Sequence, residues 1–136
     1  MLELVNHAPV GDLLEEVSFN LLAGTSRDGR TIDGRDWYGS AMADFTDNRK
    51  PGFPLLDLAI RAPAAVNVIV QYAVPTFPIA EPPALTFTDF LTTAVPALTW
   101  GTLAIRLTAR FSRVRILDTS GAANNGIYLV YFLRGA

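Results

Sequence analysis

Alternation of side chains over the C-terminal run from Leu103 to Leu133 constrains the fold more than any other feature of this chain. An extended strand turns successive side chains to opposite faces. Val114, Ile116 and the aliphatic part of Asp118 therefore share one face, and Arg113, Arg115 and Leu117 the other. Farther on, Ile127, Leu129, Tyr131 and Leu133 alternate with Tyr128, Val130 and Phe132. Both sets are apolar, which predicts a central strand covered on both sides. The small-residue stretch 119–126 lies between these segments and ends in Asn125-Gly126, a dipeptide that tolerates positive φ. That arrangement predicts a β-hairpin.

The same pattern recurs upstream. Val17, Phe19 and Leu21 alternate with Ser18, Asn20 and Leu22. Val66, Val68, Val70 and Tyr72 alternate with Asn67, Ile69 and Gln71. Residues 53–60 and 86–93 add shorter strand candidates. Asp12 followed by Glu15 resembles a helix-capping pair and predicts a short helical turn over 12–16. Turn dipeptides Asp28-Gly29 and Asp33-Gly34 and the run from Asp47 to Gly52 punctuate a polar region with weak strand signals. Six to eight short strands with proline- and glycine-rich connections predict an all-β chain, an antiparallel β-sandwich or jelly roll. The expected layout is an N-terminal arm over 1–16, one sandwich domain over 17–136, and a long loop excursion over 23–52. A length of 136 residues suits a single domain.

Charge is sparse and uneven. Charged residues make up 18% of the chain, against roughly 25% in an ordinary soluble domain. From Ala62 to Ile105 the only charges are Glu81 and Asp89. Six prolines break that region, so it is not expected to form a membrane-spanning helix. The N-terminus lacks the basic and apolar regions of a secretory signal. An uncharged surface of this kind is expected at a protein–protein interface. Residues 1–57 carry a net charge of −5 and residues 58–136 carry +3. That asymmetry suits either head-to-tail contact between copies or pairing of the two halves within one chain. Arg106, Arg110, Arg113 and Arg115 likewise read as a solvated strand face or as a basic stripe that meets an acidic partner. Nucleic acid is not an expected partner, because the chain is acidic overall and its arginines are spread along strands.

Catalytic chemistry finds little support. With no cysteine, thiolate nucleophiles, disulfides and cysteine-ligated metal centres are excluded. The single histidine, His7, sits in the expected arm. No phosphate-binding or dinucleotide motif is present. Asp28, Asp33, Asp36, Asp44 and Asp47 raise the question of calcium or of a glycosidase pair, but their spacing matches no EF-hand. Turn formation and ion pairing with Arg27, Arg30, Arg35 and Arg49 account for them more simply. The chain is therefore expected to be non-enzymatic and to need no cofactor. Trp37, Tyr38, Phe45, Phe53, Phe77 and Phe87, with Arg113 and Arg115, are the candidate interface anchors. Trp37, Tyr38 and Trp100 form the alternative, a sugar-stacking platform.

The C-terminal pattern Arg-Phe-Ser-Arg-Val-Arg-Ile-Leu-Asp-Thr-Ser-Gly, a small-residue loop, then Ile-Tyr-Leu-Val-Tyr-Phe-Leu-Arg-Gly is carried by residues 110–135. Over about residues 100–136 the chain resembles the closing hairpin of small β-sandwich virion proteins of tailed bacteriophages, such as capsid decoration proteins and tail-fibre modules. The resemblance implies a non-enzymatic building block, commonly trimeric, whose partners are its own copies and a capsid or tail protein. It implies a virion location after assembly in the host cytoplasm. It carries no catalytic residue.

Overall fold

The computed structural model describes residues 12–33, 55–73 and 85–134. Among them are nine strands: β1 (Asp12–Leu21), β2 (Ser26–Asp28), β3 (Ile32–Asp33), β4 (Leu55–Arg61), β5 (Val66–Ala73), β6 (Phe87–Val95), β7 (Trp100–Arg106), β8 (Phe111–Asp118) and β9 (Asn124–Arg134). All pairings are antiparallel. The front sheet runs β1-β9-β4-β7, and the back sheet runs β2-β8-β5-β6, with β3 also on β8. β2 and β3 follow one another along β8 and act as one interrupted strand. Gly29, between them, donates its N–H to the Val114 carbonyl (2.7 Å).

Strands that follow one another in sequence mostly lie in opposite sheets. The chain passes from front to back after β1, β4 and β7, and from back to front after β3, β6 and β8. The first and last strands are paired neighbours. Two four-stranded layers rolled up in this way are a jelly roll, so the all-β sandwich expected from the sequence is the fold. Its core is the facing sides of the two sheets: Leu56, Leu58 and Ile60 of β4, Val66, Val68 and Val70 of β5, Val114 and Ile116 of β8, and Ile127, Leu129 and Tyr131 of β9. The alternation in β8 thus points as the sequence indicated, and β9 is central as expected. The cover expected on both sides of β9 is complete only on the side facing the back sheet, because Tyr128, Val130 and Phe132 lie on the outward side of the front sheet.

The expected hairpin does not form. β8 belongs to the back sheet and β9 to the front sheet, and the two are not paired. The link between them must span the roughly 10 Å between sheets rather than the roughly 4.8 Å between paired strands. The residues from Thr119 to Ala123 supply that longer crossing. Asn125-Gly126 is absorbed into β9 instead. Phe19 pairs with Ile127 and Asn20 with Asn125, so Gly126 is an extra, bulged residue. Its φ of 87° is the conformation that glycine tolerates, and its N–H donates to Asn20 Oδ1 (2.8 Å).

Two further expectations change. The helical turn over 12–16 is strand, because β9 offers an eleven-residue ladder that β1 follows from Asp12 onward. The last part of the expected arm is therefore paired, while residues 1–11 lie outside the described residues. The start of the expected excursion contains β2 and β3. Its remainder, residues 34–52, and the proline-rich connector over 75–83 lie outside the described residues.

Four crossings gather at one end of the sandwich: residues 22–25, 62–65, 96–99 and 119–123. They are laced together. Asp118 N–H donates to the Thr25 carbonyl (2.9 Å), Thr119 N–H to Ala65 (3.1 Å), and Leu98 N–H to Ala62 (2.8 Å). The Asp118 carboxylate accepts from Ser120 Oγ (2.6 Å) and from the N–H groups of Gly24 (2.9 Å), Ser120 (3.2 Å) and Gly121 (3.3 Å). These donors, the Ser120 hydroxyl first and the Gly24 N–H next, hold its pKa down at about 2. Asn124, wholly buried, treats Ala64 as a paired strand residue would. Its Nδ2 donates to the Ala64 carbonyl (2.9 Å) and its Oδ1 accepts from the Ala64 N–H (3.2 Å). Its Nδ2 also reaches Asp118 Oδ1 (3.3 Å).

Candidate interaction surface

The outward side of the front sheet is set by the same period of two that fills the core. With Ile127, Leu129 and Tyr131 turned in, β9 turns Tyr128, Val130 and Phe132 out. Register then builds rows across the sheet. Phe132 stands between Leu13 and Asp57, which faces Ala104. Val130 stands between Glu16 and Ala59, which faces Thr102. Tyr128 stands between Ser18 and Arg61, which faces Trp100. Asp57, Ala59, Thr102, Ala104 and Phe132 border a shallow depression of about 270 Å³. Asp57 is ion-paired with Arg134, so the carboxylate beside the depression is already neutralised.

At one margin Trp100 is 59% exposed and meets Tyr128 edge-on, ring centroids 5.8 Å apart at 84°. The Tyr128 hydroxyl donates to Glu16 Oε2, a bond that raises the phenol's pKa. Nearby Leu98 is 64% exposed and has a φ of 61°, unusual for a branched residue. Its carbonyl accepts from Arg61 (3.5 Å). The front face therefore presents Leu98, Trp100, Tyr128, Val130, Phe132 and Leu13 within a thin polar frame.

The back sheet's outer side differs. Phe87, Arg113 and Arg115, three of the candidate anchors, lie together there. The Arg113 guanidinium sits 4.0 Å from the Phe87 ring centroid and donates to Gln71 Oε1 (2.7 Å). Gln71, buried, passes its own Nε2 donor to Asp89 (2.6 Å). Asp28 takes both Arg115 (2.6 Å) and Arg113 (3.4 Å), and the Arg115 bond leads in holding its pKa below the usual carboxylate value. Arg110, Arg113 and Arg115 are thus engaged by acids of the same chain, whereas Arg106 ends β7 in the front sheet and is not part of this row. Asp33 is paired with Arg110 (3.3 Å) and Asp57 with Arg134. Pairing between the acidic first part and the basic second part of one chain is what these contacts display.

A third cluster closes the sandwich edge between β1 and β2. Buried Tyr131 donates its hydroxyl to Glu15 Oε1 (2.8 Å), and Arg27 donates to both oxygens of Glu15 (2.6 and 3.2 Å). Arg27 also lies 4.8 Å from the Phe19 ring centroid. The Arg27 bond is the main cause of Glu15's lowered pKa, and burial is the main cause of Tyr131's raised one. Every charge in this cluster has its counterpart, so the arrangement braces two sheets and offers no free base. Among the described residues, no three acidic or imidazole side chains converge on a point that could hold a metal ion.

Of the remaining sequence candidates, Trp37, Tyr38, Phe45, Phe53 and Phe77 lie outside the described residues, as do Asp36, Asp44, Asp47 and His7. Trp100 is therefore the one described member of the sugar platform. Sequence reasoning did not nominate Leu13, Leu98, Tyr128, Val130 or Phe132 as surface residues. The signal for three of them was present, since an apolar second face on β9 need not be covered.

No protein-family model matches the chain, and no curated protein matches it. A solved structure does. The crystal structure of PBSX exported protein XepA is similar over 93% of this chain and 37% of its own, with a TM-score of 0.61 and 11% sequence identity. The present chain thus spans little more than a third of that protein's length. At this identity the likeness is one of fold.

Proposed function

We propose that this chain is a non-enzymatic structural protein of a virion-type assembly, a jelly-roll unit that associates with its own copies and seats on a larger protein surface. The observation that carries the reading is the front face, where exposed Leu13 and Trp100, with Leu98 of the adjoining turn, border half-buried Tyr128, Val130 and Phe132, and where Asp57 and Glu16 already have partners. A face of that kind fits contact with protein better than chemistry on a small molecule. The fold neighbour XepA, phage-related and exported, supports a phage setting at the level of architecture. Within that setting, a capsid decoration or tail component, active as a homo-trimer or another homo-oligomer, suits the size and the C-terminal resemblance. The test is absolute mass by size-exclusion chromatography with light scattering across a dilution series. A stable oligomer, with binding to assembled capsids or tails that is lost when Trp100→Ala and Phe132→Ser are combined, supports the reading. A monomer at every concentration that also fails to bind assembled capsids or tails overturns it.

A second reading, a carbohydrate-binding module, is favoured by one observation: Trp100 presents an exposed ring braced by Tyr128 beside polar Arg61 and Glu16. It predicts an oligosaccharide-dependent shift of tryptophan fluorescence that Trp100→Ala abolishes. An unresponsive panel of oligosaccharides eliminates it.

A further inference from the structure

Four strand borders are present among the described residues: β1 and β7 in the front sheet, β2 with β3 and β6 in the back sheet. A border strand exposes a row of N–H and C=O groups, and folds blunt such borders with bulges, inward charges, short strands or proline. Three of the four are blunted here. β1 carries two register shifts, at Leu13/Glu15 and Phe19/Asn20, and turns Glu15 inward. β2 and β3 are three and two residues long, and Arg27 points inward to Glu15. β6 shifts register against Val70/Gln71, extruding Phe90 beside Asp89. β7 has none of these devices. Its seven residues run in unbroken register with β4, contain no proline, and have Arg106, the last, as their only charge. No described residue pairs with its other side.

We propose that β7 is the seam at which two copies of the chain join, antiparallel, so that the two front sheets become one continuous sheet about a two-fold axis. The proposal rests on the self-association reading above and names its contact. The occupant is a second copy because β7 is complementary to itself. Centred on Leu103, antiparallel pairing engages the whole strand. Leu103 meets Leu103 of the second copy, Thr102 meets Ala104, Gly101 meets Ile105, and Trp100 meets Arg106. On the outer side small residues oppose small ones, and each exposed indole faces a guanidinium, a favourable cation–π pair. On the inner side, half-buried Leu103 and Ile105 gain cover, and the bulk of Ile105 falls opposite a glycine. No like charges meet. An isologous contact of this kind closes on itself and stops at two copies.

The full chain has no cysteine, so Leu103→Cys introduces its only thiol. In the proposed register the two introduced thiols sit on directly opposed residues, with Cα atoms about 4.5–5.5 Å apart, inside the span of a disulfide. Thr102→Cys is the register control, because its counterpart lies diagonally about 7–8 Å away. Under mild oxidation Leu103→Cys is expected to form a covalent dimer at least tenfold faster than Thr102→Cys. In parallel, light scattering compares two charge doublets at exposed positions. Thr102→Lys with Ala104→Lys sets like charges opposite one another and is expected to weaken association at least tenfold. Thr102→Lys with Ala104→Glu sets opposite charges together and is expected to keep it. An oligomer that survives the double lysine variant and gives no preferential Leu103 cross-link overturns the seam and leaves self-association to another surface. A parent chain that stays monomeric at every concentration overturns both.

Discussion

Replacing Asn124 by alanine should cost this fold about 3 kcal/mol. The side chain makes three hydrogen bonds, two to the Ala64 backbone and one to Asp118. Each net hydrogen bond is worth about 1 kcal/mol, and leaving a buried partner unsatisfied costs about 1–3 kcal/mol. Ala64 is half-buried, so water recovers part of its loss. The removed groups lie where three crossings between sheets are tied, so the strand pairs of β8 and β9 cannot compensate by shifting. A loss of 3 kcal/mol is a large share of the roughly 5–15 kcal/mol that stabilises a domain. At about 4 °C per kcal/mol, a value suited to this size, Tm should fall by about 12 °C. Urea unfolding followed by both circular dichroism and tryptophan fluorescence measures the loss, with an unchanged m-value confirming that the folded state is the same. Asn125→Ala, at the exposed neighbour, should lie within about 0.5 kcal/mol of the parent. A loss below about 1 kcal/mol for Asn124→Ala would show that the crossings hold independently and that the lacing contributes nothing.

Other consequences can be checked on the same material. Tyr131→Phe removes the hydroxyl bonded to Glu15 and should cost about 1–2 kcal/mol in urea unfolding. Gly29→Ala should destabilise by about 1–3 kcal/mol, because a Cβ there overlaps the Tyr131 hydroxyl and comes within 3.1 Å of the Val114 carbonyl. Combined with Tyr131→Phe it should cost less than the sum, and strict additivity in that double-mutant cycle would refute the clash. Ser112→Ala should leave stability unchanged or raise it by about 1 kcal/mol, since that buried hydroxyl has no hydrogen-bond partner among the described residues; a clear loss in thermal melts would point to a bond at Ser112. Asp118, Glu15 and Asp28 all have folded pKa values below their unfolded ones. Their contribution is complete above about pH 5 and is lost as pH falls toward 2, because the unfolded chain takes up protons first. A Tm that stays flat across that window would contradict the assigned partners.

Which faces are buried was legible in the sequence, because the period of two is a local property. Val114 and Ile116 point inward as their spacing demands, whereas β9, apolar on both faces and expected to be covered on both, is fully buried only along Ile127, Leu129, Tyr131 and Leu133. Which strands pair was not legible, because pairing depends on where a connection lands. The link from Asp118 to Asn124 looks like a hairpin turn, yet its length and the hydrogen-bonding appetite of Asp118 suit a crossing between sheets. Asn125-Gly126 carried the right conformational signal for the wrong element, a bulge within β9. Asp12 and Glu15 resembled a cap in isolation, but Glu15 is held by Tyr131, 116 positions away. The arginines of β8 were legible as outward-facing. That Asp28 engages Arg113 and Arg115 required the register of β2 on β8. The front-face surface was half visible, since an apolar second face on β9 says that something should touch it and leaves open whether the chain itself does.

The pairing of β1 with β9 has a consequence for how such a unit can be wired. Asp12 lies opposite Leu133, so the first strand begins where the last one ends. A short linker from Arg134 to Asp12 would close the backbone into a circle, and new ends could be cut in the exposed turn 96–99 without opening a sheet. By the same geometry, the whole unit could be spliced into a surface loop of a host protein while barely separating the two sides of that loop. A module with adjacent attachment points can be duplicated, inserted or strung along a longer polypeptide with its packing intact.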